Sequence, residues 1–365
     1  MPKRPTIADV AHLARVSPAA VSRWLNGSMR LPEATGDRIR QAVITLGYHP
    51  HAQARRLSTG KSEAIGIVLP DIANPFFAFL AAAAERVAVD AGYDVMIWSS
   101  RNKVERELAC FDRLRAGYVD GLILITNHED DGRLAARISE ARGRVVLVDE
   151  DVRDADAPKF FVDNEQGGYL ATRHLIAQGH RRIVHIGGPQ GVMSAIERAQ
   201  GWRRALGEAG IDAPAEWHIR SEYEIAAGRA GAAAMFDMEP AATAVFAGSD
   251  AIALGVLFAA RERAVAVPGD LSLAGFDGMP IVELLGPPLT SVAQPIDRLG
   301  RLSAECLVAM INAGAADGAS MQTTRLPVEL VTRGSVAAPK DTRHWRSQAL
   351  APAAGDRFRA ARSGR

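Results

Sequence analysis

Between Ile7 and Leu46 apolar residues recur three times at helical spacing. Ile7, Val10, Ala11 and Ala14 share one face of a first helix, which Thr6 caps. After the turn Arg15-Val16, Ser17 and Pro18 open a second helix with Val21, Trp24 and Leu25 on its apolar face. Asn26-Gly27 stops it, because both residues tolerate positive φ. Pro32 and Glu33 start a third helix, Ile39, Ala42, Val43 and Leu46 keep its period, and Gly47 ends it. Singly these pieces bury little, so the pattern predicts a three-helix unit that turns Pro18, Ala19, Ser22 and Arg23 outward.

From Glu63 the period changes. Short continuous apolar runs (Ala64–Leu69, Tyr93–Trp98, Gly121–Ile125, Val145–Val148, Arg182–Ile186, Thr243–Ala247 and Leu271–Phe276) alternate with amphipathic helices. The best-marked helices are Phe76–Ala91, Glu165–Gln178 and Ile196–Ala209, each followed by glycine. Such runs, spaced by helices, predict parallel strands covered on both faces, an α/β class with doubly wound sheets. A stretch of this length exceeds one sheet and implies two lobes. Between head and body, His49-Pro50 breaks the third helix and Ser58-Thr59-Gly60 is linker-like, while HAQARRL suits one or two marginal helical turns.

Composition adds three constraints. With 48% hydrophobic and 23% charged residues the chain is globular in character, and no run approaches the length of a membrane span. The start, MPKRPTIADV, has no apolar core of signal-peptide length, so a cytoplasmic location is expected. The net charge of +1 hides an asymmetry: residues 1–61 hold ten Lys/Arg and three Asp/Glu, against 33 and 39 in the remainder. A basic head on an acidic body is the electrostatic footprint of a nucleic-acid binder. Cys110 and Cys306 form no metal pattern and are expected as reduced core residues. Neither a metal nor a cofactor is called for.

The stretch TIADVAHLARVSPAAVSRWLNG, with VSRWLNG after SPAA, resembles the helix-turn-helix of the LacI/GalR family of bacterial transcription regulators. The resemblance runs from Thr6 to about Gly334. It implies a head at 1–47, a hinge helix or linker at 48–61, and a two-lobed, periplasmic-binding-protein-like core at 62–335. The first lobe takes about 62–163 and 294–323, the second about 164–293 and 324–335. Residues 336–365, rich in Pro, Ala and Arg, are expected to be a disordered tail. They lack the leucine heptad that tetramerises some relatives, so a homodimer is expected.

The resemblance also assigns roles. The second helix enters the major groove, where Arg23 matches the position that reaches base edges and Pro18 and Ala19 the other two specificity positions. Thr6, Ser17, Ser22 and Asn26 fit caps and phosphate contacts. Leu57 matches the leucine that wedges into the minor groove, with Ala54 and Arg55 beside it; His51 stands where the family usually has Asn. In the body, Arg198 in SAIERAQGW matches the ligand-clamping arginine and Asp277 in AGFDG the ligand carboxylate. Tyr223 lies where relatives place a stacking aromatic. Ser249 replaces an Asn frequent in sugar-inducible relatives.

Polar residues after the strands, where open α/β sheets bind ligands, add Asn74, Ser99, Arg101 and Asp149. Phe76 and Phe77 suit either cleft lining or core, Arg198 either ligand or the surface of its helix, and Asp250 is favoured as a helix cap. The implied function is a repressor on a pseudo-palindromic double-stranded operator, released by a sugar or sugar derivative bound between the lobes. A purine-type corepressor and a solute-binding protein are the alternatives. Among enzyme motifs, no GxGxxG after the first strand, GxxxxGK[ST], GxSxG or HExxH occurs.

Overall fold

The computed structural model describes residues 5–25, 29–48, 61–239, 241–314 and 322–340. Asn26, His51, Ala54, Arg55, Leu57 and the tail beyond Lys340 lie outside them.

In the head, α1 (Ile7–Ala14), α2 (Pro18–Leu25) and α3 (Glu33–Leu46) close around Val10, Ala11, Ala14, Val21, Ile39, Ala42 and Tyr48. Thr6 and Asp9 form a reciprocal capping box that satisfies donors at the start of α1. The Ser17 hydroxyl accepts from Ala20 N (3.2 Å) and caps α2. Arg15 turns the chain with φ 54°. Gly36 lets α3 come close to the indole of Trp24, since a Cβ there would stand 3.1 Å from its Nε1.

The body holds two six-stranded sheets. The first orders β1 (Ala64–Leu69), β2 (Asp94–Ser99), β3 (Gly121–Leu124), β4 (Val145–Val148), β5 (Lys159–Val162) and β11 (Thr323–Leu326) as β11-β5-β4-β3-β1-β2, all parallel. Alternation decides its faces. Ile65, Ile67, Ile123, Val146 and Val148 join one core cluster; Ala64, Val68, Leu122, Leu124, Val145 and Leu147 join another. The second cluster also contains Phe111 and Leu114 of α5 (Val104–Arg115) and Leu134 and Ile138 of α6 (Arg133–Glu140). On the first face α4 (Pro75–Asp90) packs against α11 (Ile296–Ala313).

The second sheet runs β12-β10-β9-β8-β6-β7, with β6 (Ile183–Ile186), β7 (His218–Ile219), β8 (Ala244–Ala247), β9 (Ser272–Asp277), β10 (Thr290–Ala293) and β12 (Glu329–Val331). It is parallel except for β10 with β12. Helices α7 (Asn164–Ala177) and α8 (Met193–Glu208) pack together, as do α9 (Ile225–Phe236) and α10 (Asp250–Glu262). The chain crosses between lobes after β5, β10 and β11.

Three expectations need correction. β11 pairs with β5 through Leu326, so the third crossing falls after Leu326 rather than after residue 323. The stretch just past Ser335 is ordered: Ala337 N donates to Ser272 Oγ (3.0 Å), and its carbonyl accepts from that hydroxyl and lies 2.8 Å from His180 Nε2. Side chains of Ser272 and His180 hold the Ala337 backbone without an apolar period. Ser249, not Asp250, caps α10, its hydroxyl accepting from Ile252 N (3.1 Å). Asp250 occupies the first helical position instead, and its carboxylate accepts from Met279 N (2.8 Å) and Ser291 Oγ (2.6 Å).

Candidate functional site

The two lobes meet at α8, whose position is set by glycine. A Cβ at Gly168 would lie 2.2 Å from the Arg198 carbonyl, and one at Gly201 would lie 2.0 Å from that of Glu165. Only bare backbone permits α7 and α8 this approach. The approach carries Arg198 inward to 3% exposure, its Nε donating to Asn164 Oδ1 (2.9 Å) and Nη1 to the Gly248 carbonyl (2.6 Å). The guanidinium lies 3.7 Å from the Phe276 ring centroid and 5.4 Å from that of Tyr223.

Carboxyl groups surround it. Asp277 ends β9 with φ 114°, accepts from Gln294 Nε2 (2.9 Å) and stands 3.9 Å from Arg198 Nη1. Asp149 and Glu150 follow β4 on the first lobe, both buried. Glu150 reaches across the lobes: it accepts from Ser194 N (3.1 Å) and from the Ser194 hydroxyl, which is itself 2.7 Å from the Tyr223 hydroxyl.

One guanidinium does not compensate this much acid. Burial pushes Asp277 up to about 8, against the pull of Arg198. It pushes Asp149 up to about 6, again opposed by Arg198, and raises Glu150, where the Asp149 charge adds to it. Asp250 rises to about 7 by burial, opposed by its Ser291 hydrogen bond. Two acceptors, Asp149 Oδ1 and Gln294 Oε1, are buried without a hydrogen-bond partner among the described residues. Such atoms call for donors. At the mouth, Asp71, Asn74 and Pro75 of the first lobe face Tyr223, Ile225, Ala251 and Met279 of the second across a 460 Å³ cavity.

The structure thus brings Asp149, Arg198, Tyr223 and Asp277 into one cluster and sets Asn74 at its entrance. Asn74 also caps α4, accepting from Phe76 N (3.1 Å). Phe76 and Phe77 belong to the core. Ser249 is buried, and its hydroxyl serves the helix cap. Ser99 is half-buried, its hydroxyl 3.5 Å from the Pro70 carbonyl, and Arg101 is exposed with φ 54°; neither joins the cluster. Asn164, Ser194 and Gln294 were missed. Ser194 and Asn164 read as ordinary helix-start polars; Gln294 follows TSVA, an apolar–polar run too short to signal a strand.

On the head, Thr6, Ser17, Pro18, Ala19 and Arg23 are exposed and Ser22 is half-buried. Trp24 packs in the head core, with the Arg40 guanidinium 5.8 Å from its ring.

A three-helix head joined to two parallel-stranded lobes, with a polar cluster between those lobes, defines a ligand-sensing regulator architecture. Residues 6–51 match the model for bacterial regulatory proteins of the lacI family, and residues 172–336 that for a periplasmic binding protein-like domain. The chain is 35% identical over 333 residues to the ribose operon repressor of Halalkalibacterium halodurans, covering 90% of this chain and 97% of that one. It is similar to the lac repressor dimer bound to operator and the anti-inducer ONPF (TM-score 0.79, 28% identity, 92% and 100% covered). It is likewise similar to a complex of the transcriptional regulator CelR with cellobiose (TM-score 0.69, 31% identity, 91% and 100% covered). The chain belongs to the LacI family of DNA-binding transcriptional regulators.

Proposed function

We propose that the protein is a cytoplasmic homodimeric repressor whose effector is a sugar, bound between the lobes and releasing the operator. The observation that carries the effector class is the pair of buried, partnerless acceptors, Asp149 Oδ1 and Gln294 Oε1, beside a buried arginine and the Tyr223 ring. Sugar hydroxyls donate to such acceptors, and a sugar's C–H face packs on an aromatic ring. The names of the ribose operon repressor and the CelR–cellobiose complex point the same way.

Arg23 is the base-reading side chain in this proposal, Pro18 and Ala19 contact apolar base edges, and Thr6, Ser17, Ser22 and Asn26 orient the head on phosphates. Leu57, with Ala54 and Arg55, wedges and holds the minor groove. The ligand acts only through a difference in affinity between lobe arrangements that permit or prevent paired hinges. Fluorescence anisotropy with the DNA upstream of the protein's own reading frame tests this, with and without ribose and cellobiose. Sequence-preferring binding that a sugar releases is the expected result. Binding indifferent to sequence, or unmoved by a panel of pentoses, hexoses and disaccharides, overturns it.

A further inference from the structure

Five residues beyond Arg198, the other side of α8 carries cations that make no ion pair with a carboxylate among the described residues. Arg203 and Arg220 are both exposed, and the hydrogen bonds they make go to neutral acceptors. Arg203 Nη2 lies 3.0 Å from His218 Nδ1, and Arg220 Nη1 donates to Gln190 Oε1 (2.8 Å). Two hollows, of 160 and 640 Å³, share Arg203, His218 and Arg220 in their walls. The smaller is completed by the loop Gly188–Gly191 and the flank of α8; the larger by Trp202, Ala213, Pro214 and Ala215.

His218 lies on β7, the edge strand of its sheet, and its ring stacks on His185 with centroids 5.2 Å apart and planes 11° apart. His185 is fully buried, its Nδ1 2.9 Å from the Phe246 carbonyl and its Nε2 without a partner among the described residues. Both imidazoles aim Nε2 at one spot above Gly187, where a Cβ would stand 3.0 Å from each. Since Arg203 donates to Nδ1 of His218, the neutral ring carries its proton on Nε2.

We propose that this edge of the second lobe is a second ligand site, distinct from the cleft, that takes a small phosphorylated metabolite. The phosphate sits between Arg203 and Arg220 beside His218, and the organic part occupies the larger hollow, against Trp202, Ala213 and Pro214. Guanidinium forks match phosphate oxygens in a way a point charge does not. A dianion supplies a counter-charge that the described residues do not place against Arg203 and Arg220. Burial, together with the Arg203 and Arg220 charges, holds His218 down to about 4, so a bound dianion moves its titration upward.

The test follows the His218 ring resonance by NMR in the full-length protein, assigned by loss of the signal in His218→Asn. Inorganic phosphate, ribose 5-phosphate, ribose and sodium chloride are titrated at matched ionic strength. The expected result is a saturable shift and a raised His218 pKa with both phosphates, ribose 5-phosphate binding more tightly. Ribose and chloride leave the signal in place. Arg203→Gln and Arg220→Gln, both at exposed positions, each weaken phosphate binding by about tenfold or more. Their circular dichroism melts stay at the wild-type value. A shift that chloride reproduces, no saturation, or affinities unchanged in both variants overturns the site. Equal affinity for inorganic phosphate and ribose 5-phosphate overturns the assignment of the larger hollow.

Discussion

Arg325 on β11 of the first lobe grips Glu197 on α8 of the second. Nη1 donates to Oε2 at 2.8 Å and Nη2 to Oε1 at 2.7 Å. The pair is bidentate and bridges the lobes outside the Arg198 cluster, where the side chains are 44% and 17% exposed. Exposed pairs are worth about 0–1 kcal/mol, and the bidentate geometry with a half-buried Glu197 puts this one near the top, about 1 kcal/mol. Removing it lowers the weight of the closed arrangement against an opened one by about fivefold. The affinity of a ligand that requires closure falls by no more than that factor.

The assay is a double-mutant cycle on Arg325→Ala and Glu197→Ala, read as effector affinity by calorimetry and as lobe separation by small-angle scattering. Each single variant should weaken binding, the double variant no further than either alone, and added salt should erode the wild-type advantage. Strictly additive effects, or singles indistinguishable from wild type in both readouts, refute the idea that this pair holds the lobes together.

Other consequences follow from the cluster and the head. Arg198→Met leaves Asn164 Oδ1 and the Gly248 carbonyl without their donor and strips the carboxyls of their cation. The expected loss is about 3–5 kcal/mol by urea unfolding, together with effector binding; a loss under about 1 kcal/mol speaks against a buried anchoring role. Asp277, Asp250 and Asp149 are raised to about 8, 7 and 6, above the ordinary carboxyl value. The folded chain therefore binds more protons than the unfolded one between roughly pH 4 and pH 8, and this contribution to stability declines as pH rises through that window. Asp277→Asn should flatten the upper part of the decline in ligand-free melting curves; a wild-type melting temperature that rises from pH 5 to pH 8 relative to the variant contradicts it. Arg23→Ala should erase about 1–3 kcal/mol of discrimination at one operator position, measured by anisotropy on single-base variants. Unchanged ranking of those variants removes Arg23 from base reading.

The head was legible because its information is local. Caps at Thr6 and Ser17, a left-handed turn at Arg15 and a stop at Gly47 are each written within a few residues of the helix they govern. Most of the main strands were legible because both their faces are buried, which leaves an unbroken apolar run; β2, expected to be covered on both faces, is an edge strand with Asp94 and Ile97 exposed, and edge position rather than composition decides that. The short strands were not: β5 mixes Lys159 with phenylalanines, β10 begins Thr-Ser, and β11 is largely exposed, so pairing with a neighbour, not composition, makes them strands. Asp250 looked like a cap because Asp commonly is one; Ser249 took that place, and the Asp250 carboxylate turned to Met279 and Ser291, far along the chain.

Sequence alone therefore determined a basic helical head, an α/β body of two lobes, and a family resemblance that singled out Arg198 and Asp277 for inspection. Periodicity, capping and charge balance act over a few residues and survive without coordinates. Only the tertiary structure decided which polar groups meet. Glu150 and Ser194 are 44 positions apart, Glu197 and Arg325 are 128 apart, and their contacts exist because glycines at 168 and 201 let two helices close on each other. Burial, which raises the carboxyl groups and leaves Asp149 and Gln294 with unpaired acceptors, is a property of that packing and of no single stretch of chain.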